Sequence, residues 1–283
     1  MFSFCRQVLL IVFLTYHFAP CPGASVFLPF SSSARAWGMG KCGASCCRGA
    51  AGLLINPAFI PSNTPEACVL SVMHYEIEEL LTCCGAIVIP TITGHWGLLL
   101  YHFGNPVYHE NIIGVVWNTT MLPGIRAGAG VRRCTLAIQN YGSDSSVAMD
   151  IGCMITPCRA LRLGASVMNI TRESLGRCEE RITPCFRAGL SIHLPSGLIM
   201  ATEIEKEKDM IPLLKSGLEF QYARPLFLRF GYIAGPDCWT TGFGIRFFAV
   251  HMDYALEIHP VLGMTHCLGL LIRPFSSVTK HGA

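Results

Sequence analysis

The side chains of this chain that could do chemistry do not gather into a reactive set. Ser191 and His193 stand at i, i+2 in Gly189-Leu190-Ser191-Ile192-His193. That stretch comes nearest to a nucleophile elbow, but the closing glycine of Gly-x-Ser-x-Gly is missing. Glu203 and Glu205 share the same spacing, which places two carboxylates on one face of a strand and needs no acid–base role to explain it. Gly40-Lys41 falls short of a phosphate loop, because Arg35 sits where the first glycine belongs and Cys42 replaces the Ser or Thr. The 10 histidines are dispersed, without a His-Glu-x-x-His. The 15 cysteines show neither Cys-x-x-Cys nor a Cys/His zinc spacing. Their number is odd once Cys5 and Cys21 are set aside with the leader. Their scatter suits small apolar filler, with room for one or two disulfides. These residues predict a non-enzyme with no cofactor and no bound metal. The net charge of +3, spread without clusters, leaves no footprint for nucleic acid.

Most of these side chains lie on segments that alternate. Phe186, Ala188, Leu190, Ile192 and Leu194 oppose Cys185, Arg187, Gly189, Ser191 and His193, and Leu214, Leu218, Phe220 and Tyr222 oppose Lys215, Gly217, Glu219 and Gln221. Phe243, Ile245 and Phe247 alternate with Gly242, Gly244 and Arg246; Val250, Met252, Tyr254, Leu256 and Ile258 alternate with His251, Asp253, Ala255 and Glu257. A period of two means β-strands. Short links such as Pro195-Ser196-Gly197 and Gly235-Pro236-Asp237 make them a meander. Alternation leaves two architectures open: a soluble sandwich with the apolar face inside, and a membrane barrel with that face outward.

Composition separates them. The chain is 51% hydrophobic and 14% charged, with mean hydropathy +0.44, against roughly 25% charged in soluble domains. Beyond the N-terminus no apolar run reaches the ~18 residues a spanning helix needs. High hydrophobicity without helical spans favours an all-β, antiparallel up-and-down transmembrane barrel.

Residues 1–24 read as a signal peptide, with Arg6 before the apolar Val8–Leu14 and Pro22-Gly23-Ala24 for cleavage. Residues 25–62, rich in small residues and without alternation, are expected to fold inside as a plug. Residues 63–275 supply about fourteen strands, each near the ~9–11 residues that cross a bilayer at a tilt, and 276–283 form a tail. Links after even-numbered strands are expected to be short and periplasmic, with Thr119–Gly124 breaking the trend and Ile170–Ile182 the longest link on the other side. The lumen face carries Arg126, Arg132, Asp150, Arg162, Arg187, Glu203, Glu205, Lys215, Glu219, Arg229, Arg246, Asp253 and Glu257 together with many glycines. Asn118-Thr119-Thr120 and Asn169-Ile170-Thr171 match the glycosylation sequon without significance in a bacterial barrel.

Ala34-Arg35-Ala36-Trp37-Gly38-Met39-Gly40, followed by Asn56-Pro57-Ala58, resembles the N-terminal signature of the PorV/PorQ-like outer-membrane barrels. Gly242-Phe243-Gly244-Ile245-Arg246-Phe247, Met252-Asp253-Tyr254-Ala255 and Leu262-Gly263-Met264-Thr265-His266 look like that family's closing strands. The resemblance covers nearly the whole mature chain. It implies a fourteen-stranded barrel of the long-chain fatty-acid transporter-like (FadL-like) superfamily in the bacterial outer membrane, with Gly38, Met39, Gly40, Asn56, Pro57 and Ala58 as plug motif. It further implies a transport or protein-secretion accessory, whose partners are membrane lipid and either secretion-system proteins or hydrophobic small molecules. A passive channel for hydrophobic or small solutes and a soluble periplasmic binding sandwich are the rival readings. Cys42, Cys46 and Cys47, the short exterior loops and the tail after Pro274-Phe275 depart from the family pattern.

Overall fold

The computed structural model describes Phe27 and residues 33–273, apart from 48, 60–63, 75–79, 176–179 and 209. The expected signal peptide and the 276–283 tail lie outside the described residues.

Strands β1 (Glu66–His74), β2 (Leu81–Thr91), β3 (Gly94–Gly104), β4 (Tyr108–Leu122), β5 (Ile125–Ile138), β6 (Gly142–Cys158) and β7 (Leu161–Met168) make the first half of the wall. After a two-stranded hairpin, β8 (Ser174–Leu175) and β9 (Glu180–Arg181), the wall resumes. Its second half is β10 (Cys185–His193), β11 (Leu198–Glu207), β12 (Leu213–Gln221), β13 (Leu226–Ile233), β14 (Cys238–Phe247), β15 (Val250–His259) and β16 (Gly263–Ile272). Every neighbour in the wall is antiparallel, and β1 pairs with β16 from Ala67↔Ile272 to His74↔Thr265, closing a fourteen-strand barrel. Closure pairs each strand on both edges, so the wall presents no open sheet edge to its surroundings.

The alternation read in the sequence is the alternation of burial. Along β11, Ile199, Ala201, Glu203 and Glu205 are buried, while Met200 and Ile204 point outward. Glu203 is 1% exposed and its neighbour Ile204 52%. Phe186, Leu218 and Phe220 are outward and exposed. Tyr254 shares that face, half-covered by Phe243 (ring centroids 5.3 Å apart) and hydrogen-bonded to His266. A face this apolar is suited to hydrocarbon, and the enclosed carboxylates and guanidiniums exclude the sandwich.

The links also sort by end. Ile92-Thr93, Pro123-Gly124, Arg159-Ala160, Leu194–Gly197, Tyr222–Pro225 and Phe248-Ala249 make one end, the turn end, uniformly tight. The expected break at Thr119–Gly124 disappears. β4 continues through Thr119, Thr120 and Met121 to Leu122, which pairs with Ile125 across a bulge; Gly124 takes the left-handed conformation (φ 79°) the turn needs. The opposite, loop end carries the longest link, residues 169–184, from which Leu175 and Ile182 turn into the apolar core.

Residues 33–59 fold against the inward faces of the strands. Helix α1 (Ala34–Gly38) is capped by Ser33, whose hydroxyl accepts from the Ala36 N–H. A 3-10 turn follows at Ala50–Leu54. The helix lies against β13–β16 and the turn against β1–β3.

Candidate functional site in the barrel interior

The interior is divided by chemistry. On β1 to β5 many inward positions are apolar: Leu70, Val72, Val88, Leu99, Tyr101, Ile112, Val116 and Cys134 join one cluster with Phe27, Leu53, Leu54, Leu175 and Ile182, interrupted by buried polar residues such as Glu66, His95, Glu110 and Asn118. From β10 to β15 paired charges stand among the inward positions, beside apolar ones such as Ile199 and Phe227. Arg187 Nε meets Glu205 at 2.5 Å, and Lys215 reaches Glu205 at 2.8 Å and Glu203 at 3.8 Å. Arg229 joins Glu219 at 2.7 Å and Asp253 at 2.8 Å. Between the halves, Arg132 pairs with Asp150 and with Asn169.

Residues 33–59 match both halves. Arg35 forks onto both oxygens of Glu219 at 2.7 and 3.0 Å, and Lys41 pairs with Glu257 at 2.6 Å. Gly43 N–H and Ala44 N–H both donate to Glu203 at 2.7 Å, and Gly40 N–H donates to Thr240 at 2.9 Å. On the other side Leu53 and Leu54 enter the apolar cluster. Burial works against a charge on Arg35, but Glu219 more than offsets it and holds the guanidinium ionised. Both members of the Arg35–Glu219 pair are nearly inaccessible. Such a pair is costly to break: an orphaned buried charge destabilises by about 3–5 kcal/mol.

The motif residues have specific contacts. Asn56, fully buried, donates from Nδ2 to the carbonyls of Ala44 (2.9 Å) and Cys153 (3.1 Å), while its Oδ1 accepts from the Ala58 N–H (3.0 Å). That set fixes the Asn-Pro-Ala turn and ties it to β6. Met39 packs with Cys42, Cys46, Ile199 and Ala201. Wall glycines make the close approach possible: a Cβ on Gly164 would lie 1.9 Å from the Ala44 carbonyl oxygen, one on Gly231 2.0 Å from the Gly40 nitrogen, and one on Gly128 2.2 Å from the Pro57 carbonyl oxygen. Gly40 (φ 65°) must be left-handed and its own Cβ would meet Ser216. Gly38 passes the Gly242 backbone closely.

The expected lumen residues all lie on the inward face. Asp150, Arg187, Glu203, Glu205, Lys215, Glu219, Arg229 and Glu257 are buried; Arg126, Arg162, Arg246 and Asp253 are half-buried. Several polar partners escaped the sequence reading: Arg35 and Lys41 as cations facing the wall, Thr240, Ser166 (to the Ile55 carbonyl, 2.8 Å) and Asn118 (to the Phe59 carbonyl, 3.1 Å). For Thr240, Ser166 and Asn118 a polar residue at an inward register position was the available signal. Asn118 and Asn169, the sequon asparagines, are buried and hydrogen-bonded.

Ser191 and His193 are in contact at 3.2 Å, but the Ser191 hydroxyl donates to the Ser45 carbonyl and is fully buried. Burial pushes the Cys46 thiol up to about 11 and raises Cys42 and Cys47 as well, so these thiols are protonated and unreactive at neutral pH. Among the described residues no three His, Cys, Asp or Glu side chains converge on a metal position.

A closed antiparallel barrel of fourteen strands, apolar outside and with charged pairs inside, defines the class as membrane-spanning. No family model and no curated sequence matches the chain. Solved structures are similar to it: a deltaS2S3 mutant of the TodX monoaromatic hydrocarbon channel (TM-score 0.66, 12% identity, 86% of this chain and 99% of that one) and the CymD monoaromatic hydrocarbon channel (0.63, 11%, 88% and 99%). A FadL homologue from Pseudomonas aeruginosa is similar as well (0.61, 11%, 88% and 100%). At such identities the likeness establishes the fold alone.

Proposed function

We propose that the chain is a non-enzymatic barrel of the bacterial outer membrane that conducts small hydrophobic molecules, with residues 33–59 acting as its plug. The observation that carries this reading is the cluster of inward apolar side chains on β1–β5, Leu70, Val72, Val88, Leu99, Ile112 and Val116 among them. A scaffold has no need of such a lining on the enclosed side of a wall already stabilised by pairing. The similar channels for monoaromatic hydrocarbons support the same solute class. In vesicles whose outer leaflet is lipopolysaccharide, the protein is expected to speed toluene entry several-fold, and Leu99→Arg to abolish the gain. Equal entry with and without protein would overturn the reading.

A second reading follows the PorV/PorQ resemblance, an accessory of protein secretion in which the barrel is sealed. The way residues 33–59 bridge the two interior halves favours it. Deletion of residues 25–62 separates the two: a conduit becomes leaky to small solutes in a liposome-swelling assay, whereas a scaffold stays tight.

A further inference from the structure

Nearly every inward cation has a carboxylate. Arg35, Lys41, Arg132, Arg187, Lys215, Arg229 and Arg273 are each within ion-pair distance of one. Three inward arginines are the contrast, with no carboxylate within ion-pair distance among the described residues: Arg246, which stacks on Phe227, and the pair Arg126 and Arg162. Both are one residue inside the turn end, Arg126 second in β5 and Arg162 second in β7. They stand on the inward face and are separated by β6 alone. Two like charges in a half-buried position repel, and an enclosed guanidinium without an anion forgoes its strongest hydrogen bonds.

The surroundings leave the two guanidiniums without a competing anion. Gly128 and Gly164, two positions further into the barrel on the same strands, let the Pro57 and Ala44 backbone approach the wall closely. Arg162 faces Ser191 across the β7–β10 pairing, with His193 hydrogen-bonded to that serine. Arg126 faces Met154, which is buried and apolar. The tight links at this end contain Arg159 and Arg224 and no Asp or Glu, so no side chain of these links competes for the two arginines. The loop-end links and the strand ends beside them, by contrast, carry Asp144, Glu173, Glu207 and Asp237. We propose that Arg126 and Arg162 form an oxyanion site at the turn-end mouth, holding one phosphate or carboxylate between two planar guanidiniums. The oxyanion comes from a solute carrying such a group or from the headgroup of a lipid at that rim.

The test uses the full chain in zwitterionic detergent, titrated with inorganic phosphate and followed by calorimetry and phosphorus NMR. Saturable binding is expected. R126Q/R162Q should weaken it about tenfold to a hundredfold, in line with the strength of charge-assisted hydrogen bonds. R126K/R162K should keep part of it, and R246Q, altering a cation stacked on Phe227 at 4.7 Å, should leave it unchanged. A heat-modifiable gel shift checks that each barrel is folded; should the double variant not fold, R126Q and R162Q singly carry the test. Displacement of phosphate by benzoate assigns the site to a solute carboxylate, and displacement by phosphatidylglycerol in mixed micelles assigns it to a lipid headgroup. Absence of saturable phosphate binding, or binding unchanged in the folded glutamine variants, overturns the proposal. Neither result depends on whether the barrel conducts hydrocarbons.

Discussion

The two halves of the interior are enclosed by the same kind of wall yet are held by different forces. On the β1–β6 side, cohesion comes largely from many small apolar contacts that require no particular partner, beside a few specific pairs such as Arg132–Asp150 and Arg273–Glu66. On the β10–β15 side it comes from a few ion pairs, each of which fails if one member is lost. The first half tolerates substitution in kind and offers a surface that an apolar solute can use. The second specifies where residues 33–59 must sit. The segment reflects this, with Arg35 and Lys41 on the part that meets the charged half and Leu53 and Leu54 on the part that meets the apolar one.

The contrast can be broken most severely at Glu219, which serves Arg35 and Arg229 together. Glu219→Ala is expected to cost about 3–5 kcal/mol and to free the segment, read as a lower urea midpoint and as trypsin cleavage after Lys41 in the otherwise intact barrel. On the apolar side, Leu99→Ala should cost about 3 kcal/mol but leave Lys41 protected. If both variants release the segment equally, the division of labour is wrong. Gly164→Ala drives a methyl group into the Ala44 carbonyl; a loss of about 2 kcal/mol with local loosening around Ala44 is expected, seen as faster amide exchange there.

The smallest effect is chemical. The unfolded Cys46 thiol titrates near 9.0 and the folded one near 11, so the folded state holds the proton more tightly. This contribution to stability is complete below pH 9 and lost as pH rises through 11. Iodoacetamide at pH 8 should leave Cys46 unmodified in the native protein and alkylate it in Glu219→Ala.

Much of this was visible in the sequence, for a simple reason. Where inward residues are charged and outward ones apolar, as along Lys215, Gly217 and Glu219 against Leu214, Leu218 and Phe220, period two reveals both the strand and its inner face. The apolar half gave the strands but hid the lining. In β3, Trp96, Leu98 and Leu100 look outward and Leu99 and Tyr101 inward, so both faces are apolar and composition does not tell them apart. The pairing of Arg35 with Glu219, 184 positions apart, was also out of reach, since α1 is a single turn with no periodicity to orient it. Tertiary fit decided the β4 boundary too: Thr119–Leu122 reads equally well as strand or link until β5 supplies its partner.

The seam between β1 and β16 imposes an order of events. Its residues are among the most distant in the chain, Ala67 beside Ile272, so the cylinder stays an open ribbon until the last strand has been delivered. Until then an unpaired edge is on offer to any passing strand. Substitutions near either side of the seam are therefore expected to lower the yield of closed barrel, read as loss of a heat-modifiable gel shift.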